Sequence, residues 1–521
     1  MSSSEIALES ASERPTPREG IGIAVWCIAG ATLLLHLATS TGYGIFRDEF
    51  YYIACSERLA LGYVDHPPLS IAFLAAWRAV FGDSMLSLRV PPSVAHAVVV
   101  LLFGFIAREL GAQRFGRSLA ALGAAIMPVY LGSMSFYSMN AFDTLFWALC
   151  IYILCRIINT GDVKLWLLFG LVAGLGLQNK FSVGFLGTAM VAGLALTPQR
   201  KHFLSPYLYA GGAIAAIFFL PHVYWLYKND WITFEFMRNA SLHKNAPTNP
   251  VKFFADQLLM AHPLLLPVWL TGIVYGFVSP RLRAFRMFAI MFVGLFFFFS
   301  LTRGKPYYLA PAYALVLPAG AIAFEMLCGD RKWAKSAIMA VLIVTSAIIA
   351  PLAVPILPPE TLVRYQSALG LTAGKMETGH DAALDQHFAD RFGWKELVTE
   401  VGKAYAQLPE SERAKCAILC NNYGQAAAID FYGREHGLPN AIATHNNYWL
   451  WGPGNASPEI LMTVGGMGAG IAASGLFESG VEVARSKHPY AEEDDVPIYV
   501  FRNLKPPATI VELWERNKDM I

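Results

Sequence analysis

Residues 21–43 read IGIAVWCIAGATLLLHLATSTGY, a run without Lys, Arg, Asp or Glu. A helix needs about 20 apolar residues to cross a bilayer. The run exceeds a signal-peptide core and has no small-residue cleavage site, so it reads as a retained first span. Residues 1–20 before it are polar, with Arg14 and Arg18 just ahead of the run, and read as a cytoplasmic tail.

Comparable runs recur near 88–107, 118–137, 141–159, 163–178, 181–197, 206–227, 254–279, 285–302, 307–327 and 335–357, about eleven spans in all. The composition agrees: 55% hydrophobic, 15% charged and a mean hydropathy of +0.43, whereas a soluble domain is roughly a quarter charged. The charge deficit ends near Pro358. The expected organisation is a mainly α membrane protein with a spanning domain over 21–357, whose first outer loop is 44–87, and a soluble α/β domain over 358–521. A net charge of +2, without a Lys/Arg block, excludes a nucleic-acid patch. Cys416 and Cys420 lie roughly 13 Å apart along a strand-like run, too far for a disulfide. No zinc-type Cys/His spacing occurs.

Loop charges set the orientation. With the N-terminus inside, the inner loops receive Arg108, Arg114 and Arg117; Arg156 and Lys164; Arg200 and Lys201; Arg281, Arg283 and Arg286; and Arg331, Lys332 and Lys335. An odd number of spans then places the C-terminal domain outside. Asp48, Glu49, Asp65, His66, Asp143, Lys180, Arg303 and Lys305 all fall at the outer membrane surface, where convergent ionisable groups mark a functional cavity.

The first outer loop opens FRDEFYY (46–52) and continues to GYVDHPPL (62–69). Apolar residues of 51–61 recur at helical spacing, as expected for a helix lying along the interface. Asp48 and Glu49 are either an acidic helix cap or a general base that takes a proton from an attacking hydroxyl. Asp143, in NAFDTLF (140–146), is either a capping acid at a span start or a second acid in the same cavity. The stretch LTRGKPYYLAP (301–311) places Arg303, Lys305, Tyr307 and Tyr308 at an outer span end. They serve as interfacial anchors or as a clamp for a departing phosphate. Paired outer acids could bind a divalent cation, but no ligand set is evident. The outer loop at 228–256 holds Trp231, Arg238, His243 and Lys244, which either contact substrate or cap the bundle. Asn239-Ala-Ser and Asn455-Ala-Ser fit the glycosylation pattern.

Taken together, FRDEFYYIACSERLALGYVDHPPL (46–69), FGDSMLSLRVPPSV (81–94) and RGKPYYLAPAYALVLPAGA (303–321) resemble the bacterial branch of the protein O-mannosyltransferase superfamily. That branch includes the lipid A aminoarabinose transferases and the Rgt-type galacturonosyltransferases, glycosyltransferase families 39 and 83. The resemblance covers roughly 20–330 and touches CNNYGQAAAIDFYG (420–433) and HNNYWLWGPG (445–454). It implies a GT-C fold, a polyprenyl-phosphate sugar donor, an envelope acceptor (lipid A or lipopolysaccharide, another glycan, or protein) and inversion at the anomeric carbon. By resemblance Asp48 is the essential acid and Asp143 the second. Lys305, Tyr307 and Tyr308 form the phosphate side. His66 joins the phosphate side by the same resemblance, standing where aminoarabinose transferases carry a Lys near the phosphate and protein mannosyltransferases carry His. A periplasm-facing, multi-pass enzyme of a bacterial inner membrane is the expected setting. The rival is a transporter or lipid-linked-sugar flippase, against which no inverted pair of broken spans is found.

In the last third, helices are expected at 394–408, 424–436 and 467–474, and strands at 416–420, 441–444, 460–464 and 498–501. The glycines of GGMGAG (465–470) follow a strand and read as a turn in preference to a phosphate loop, and the aromatics of YWLW (448–451) either bind a sugar face or pack in the core, with packing favoured.

Overall fold

The computed structural model describes residues 20–245, 248–372, 382–454 and 459–521. Arg14, Arg18 and the Asn455 sequon lie outside them. Each expected apolar run falls on helix. Among the described residues, six helices are long and apolar enough to span a membrane: Met85–Glu109, Met139–Thr160, Pro206–Lys228, Pro280–Leu301, Pro306–Cys328 and Lys332–Leu352. Ile23–Thr39, Leu165–Asn179 and Ser182–Ala195 are shorter apolar helices, and the run at 118–137 divides into Arg114–Ile126 and Pro128–Ser133. The run expected as one span at 254–279 is instead two helices, Pro250–Met260 and Pro263–Val278, bent by 106°. Pro263 cannot donate the next helical hydrogen bond, and His262 holds a φ of 70° at the break.

Local chemistry sets the helix ends. Ser138 caps Met139–Thr160 by accepting from Asn140 N, and Gly161 closes it at a φ of 70°. Pro91 and Pro92 sit inside Met85–Glu109. Pro91 has no N–H for the Ser87 carbonyl four residues back. The Trp77 indole donates to that carbonyl instead, at 3.0 Å.

Helices pack most closely through glycine. A Cβ on Gly272 would collide with the Val316 carbonyl, and one on Gly320 with the Val268 carbonyl. Small residues at such crossings bring backbones together where no hydrophobic effect drives association. Gly320→Leu is therefore expected to abolish the folded, monodisperse fraction in fluorescence-detected size exclusion, whereas the exposed Gly212→Leu control, with open space at its Cβ, retains most of it; overpacking costs about 1–3 kcal/mol or more.

The chain ends in a five-stranded sheet: β1 (Cys416–Cys420), β2 (Ile442–Ala443), β3 (Ile460–Val464), β4 (Phe477–Ser486) and β5 (Val496–Leu504), in the order β2-β1-β3-β5-β4. The β2-β1-β3 half is parallel, while β5 and β4 are antiparallel to their neighbours. β4 was not anticipated. It is an edge strand of sequence FESGVEVARS, mostly exposed, so it lacks the alternation that marks a half-buried strand. Gly465 turns at a φ of 103°, and Tyr448 is buried, as expected of a turn and a packed aromatic.

The helix Arg47–Ser56 differs from expectation. It does not lie along the interface: Phe50, Tyr51, Tyr52, Ile53 and Ala54 are all buried. They share one core with Trp394, Val398, Ala427 and Ile429 of the sheet-bearing region. The helical periodicity is real, but a protein surface covers it instead of lipid headgroups. Leu69–Phe81, by contrast, exposes Phe73, Val80 and Phe81, as an interfacial helix does.

Candidate active site

The helix Arg47–Ser56 presents Asp48 and Glu49 in its first turn. Successive helical residues point about 100° apart, so the two acids part company. Glu49 turns inward, 1% exposed. Arg89 grips it from Met85–Glu109 through Nη2 at 2.9 Å and Nε at 3.3 Å. It also accepts from the backbone N–H groups of Phe46 and Tyr137, both at 2.8 Å. Burial pushes the Glu49 carboxyl upward, but Arg89 and these donors outweigh it and hold the group below the ordinary carboxylate value. Arg89 also donates to the carbonyls of Ser40 and, at 2.7 Å, Gly44.

Asp48 turns outward, and its side chain is 36% exposed. Its Oδ1 accepts from the Tyr423 hydroxyl at 2.9 Å and lies 3.9 Å from Arg47 Nε. Close by, Asp65 accepts from the Tyr51 hydroxyl at 3.0 Å and lies 3.8 Å from His66 Nε2. Burial raises the Asp65 carboxyl above its ordinary value, with His66 and Tyr51 opposing and Asp48 adding to the rise. His66 itself is fully buried among the rings of Tyr51, Tyr52 and Tyr63. There it braces the Asp65 loop.

A second set gathers around Lys180, between Leu165–Asn179 and Ser182–Ala195. Its ammonium donates to Asn140 Oδ1 at 2.7 Å and pairs with Asp143 Oδ2 at 3.5 Å. The rings of Tyr307 and Tyr308 lie 5.6 and 5.4 Å from it, within cation–π range. The Ser182 hydroxyl also donates to Asp143. Asp143 is thus a buried, ion-paired acid within its helix, in place of a solvated cap. Lys305 is half-buried at the start of Pro306–Ala312, and Arg303 is exposed at a φ of 58°. The Tyr52 ring lies 4.9 Å from His66 and 6.1 Å from Tyr137, just ahead of the helix that carries Asn140 and Asp143.

Two participants escaped the sequence-based site list. Lys180 stood out only as an outer charge, and its bridging role depends on segments far apart in the chain. Tyr423 lies 375 residues from Asp48, and no local pattern connects them. The adjacent acids do not converge on a cation, and no group of three or more His, Cys, Asp or Glu among the described residues could hold a metal ion.

The architecture resembles that of solved proteins. Aminoarabinose transferase ArnT from Cupriavidus metallidurans, bound to undecaprenyl phosphate, superposes with a TM-score of 0.61 over 91% of this chain and 97% of that one, at 13% identity. The fold is GT-C. Residues 65–225 also match the family model described as dolichyl-phosphate-mannose-protein mannosyltransferase. The GT-C chain is similar to lipid A galacturonosyltransferase RgtD of Rhizobium johnstonii, 24% identical over 51% of this chain and 56% of the relative. It is likewise similar to the undecaprenyl phosphate-alpha-4-amino-4-deoxy-L-arabinose arabinosyl transferase of Pseudomonas aeruginosa, 25% identical over 53% and 55%. The chain thus spans little more than half the length of the curated relatives it matches. The resemblance read from the three motifs is the one these similarities carry.

Proposed function

We propose that this chain is an inverting glycosyltransferase that moves a sugar from a polyprenyl-phosphate donor to a hydroxyl of an envelope acceptor: lipid A or lipopolysaccharide, another glycan, or protein. The observation that carries the reading is the division of the acids. Glu49 is consumed by Arg89, while Asp48 keeps an exposed carboxylate oxygen. Asp48 is the base: it takes the acceptor proton as the oxygen attacks the anomeric carbon. The leaving phosphate needs positive charge and phenolic donors, which Lys305, Arg303, Tyr307 and Tyr308 supply, with Lys180 behind the tyrosines. Asp143 fixes Lys180 through their ion pair. Glu49 and His66 shape the site without touching the reacting atoms. The spanning domain is 21–357, after a tail over 1–20, and the sheet-bearing region from 358 faces the periplasm above it. The basic inner loops support a cytoplasmic N-terminus, and the similarity to bacterial relatives supports a bacterial inner membrane.

Mass spectrometry of envelope lipids and glycans tests the reading in cells with the wild-type chain, with Asp48→Asn, or with none. A sugar absent from its acceptor in both defective strains, while its polyprenyl-phosphate form accumulates, supports transfer and names the sugar. Identical profiles in all three would move transport to the front. In the same assay Lys180→Met is expected to lower transfer about 100-fold, because it strips Asp143 of its cation and the tyrosines of theirs.

A further inference from the structure

The sheet-bearing region reaches Asp48 through the Tyr423 hydroxyl. Tyr423 is the first residue of the helix Tyr423–Tyr432, and its neighbour Asn422 caps that helix by accepting from Gly424 N at 2.8 Å and Gln425 N at 3.1 Å. Asn422 is itself fixed by Glu493 at 2.7 Å. The Tyr423 ring packs between Tyr51 at 4.6 Å and His445 at 4.8 Å, with the Arg47 guanidinium 5.8 Å from its centre. Only glycine fits after it: a Cβ on Gly424 would lie 2.6 Å from Arg47 Cγ. The helix therefore meets the start of Arg47–Ser56 directly, and the buried phenol has one orientation. In that orientation its hydroxyl donates to Asp48 Oδ1 at 2.9 Å. Among the described residues, Asp48 Oδ2 has no hydrogen-bond donor.

The geometry points to Tyr423 as a positioning residue for the base, an assignment that rests on the proposed role of Asp48. Its hydroxyl occupies Oδ1 and fixes the carboxylate rotamer, leaving Oδ2 as the atom that receives the proton. In the transfer step the acceptor oxygen bonds to the anomeric carbon. The bond from that carbon to the donor phosphate oxygen breaks, and its electron pair stays on the phosphate. The acceptor proton goes to Asp48 Oδ2, and Tyr423 keeps its own proton throughout. The base is thus completed by a region outside the spanning bundle, and a carboxylate on an exposed helix turn is held to one approach geometry.

Membranes from a deletion strain supply accumulated donor and unmodified acceptor. Purified full-length chain, wild type or Tyr423→Phe, is added, donor is varied by titrating the strain's lipid extract, and transfer is read by mass spectrometry per folded molecule. Phe keeps the ring contacts and removes only the hydroxyl. The expected result is a kcat about 10- to 100-fold lower with an unchanged apparent KM for donor. In an Asp48→Asn background, Tyr423→Phe should cost nothing further. A wild-type kcat would overturn the inference, as would a loss confined to KM or to folded yield, or losses that simply add. Full activity of Asp48→Asn alone would strike the base assignment itself and the inference with it, whereas an inactive Asp48→Asn beside a fully active Tyr423→Phe removes the inference only.

Discussion

Asp48→Asn is expected to cut transfer by about 10²- to 10⁴-fold, the range a positioned general base contributes. The substitution is nearly isosteric. Its amide oxygen can still accept from Tyr423, so the contact between Arg47–Ser56 and the sheet-bearing region survives. What disappears is the atom that takes the acceptor proton. Folding should be little affected, because the side chain is 36% exposed and makes no buried ion pair. Donor binding should persist as well, since the cations and tyrosines at 180 and 303–308 lie on other elements. The decisive comparison measures transfer and undecaprenyl-phosphate binding on the same purified variant. Lost transfer with retained binding supports a base, whereas loss of both together assigns Asp48 to the donor site instead.

The second large effect concerns the other acid of the pair. Arg89→Met is expected to cost about 3–5 kcal/mol of folded stability, the penalty for stripping one partner from a buried ion pair. Both side chains are 1% exposed, so water cannot replace the guanidinium. The damage extends past Glu49, because the carbonyls of Ser40 and Gly44 lose their donor as well. For the same reason Glu49→Leu combined with Arg89→Met should not restore stability: Phe46 N and Tyr137 N would be orphaned. The pH dependence follows from the lowered carboxyl of Glu49. A folded value below the unfolded one gives stability that is present above the unfolded value of about 4.3. It is lost as pH falls through the lower, folded value. Thermal midpoints in detergent across pH 3–7 should drop steeply at the acid end in the wild type and less in Glu49→Gln, which starts lower. A flat difference between them across that range would remove Glu49 as the source.

The adjacent acids show where local reading stops. Their presence in an outer loop, and the presence of a base candidate, were legible from FRDEF alone. Which acid stays open and which is buried was not, because Arg89 lies 40 residues away and the answer depends on its guanidinium. His66 illustrates the same limit. It stands in a recognisable motif, yet the motif does not show that Tyr51, Tyr52 and Tyr63 close around it and bury it. β4 escaped for a different reason: an exposed edge strand carries little hydrophobic periodicity to read.

The sequence by itself determined that this chain spans a membrane. A bilayer demands about 20 apolar residues per helix, a local property that any window of the chain displays. It likewise determined the charge asymmetry of the loops and the strands β1 and β3, whose buried runs are short and apolar. Only the tertiary structure decided the 106° break at His262, the burial of Arg47–Ser56 beneath the sheet-bearing region, and the bridge from Asp143 through Lys180 to Tyr307 and Tyr308. Contacts between segments hundreds of residues apart leave no periodic trace along the chain, and they fix how the candidate site is assembled.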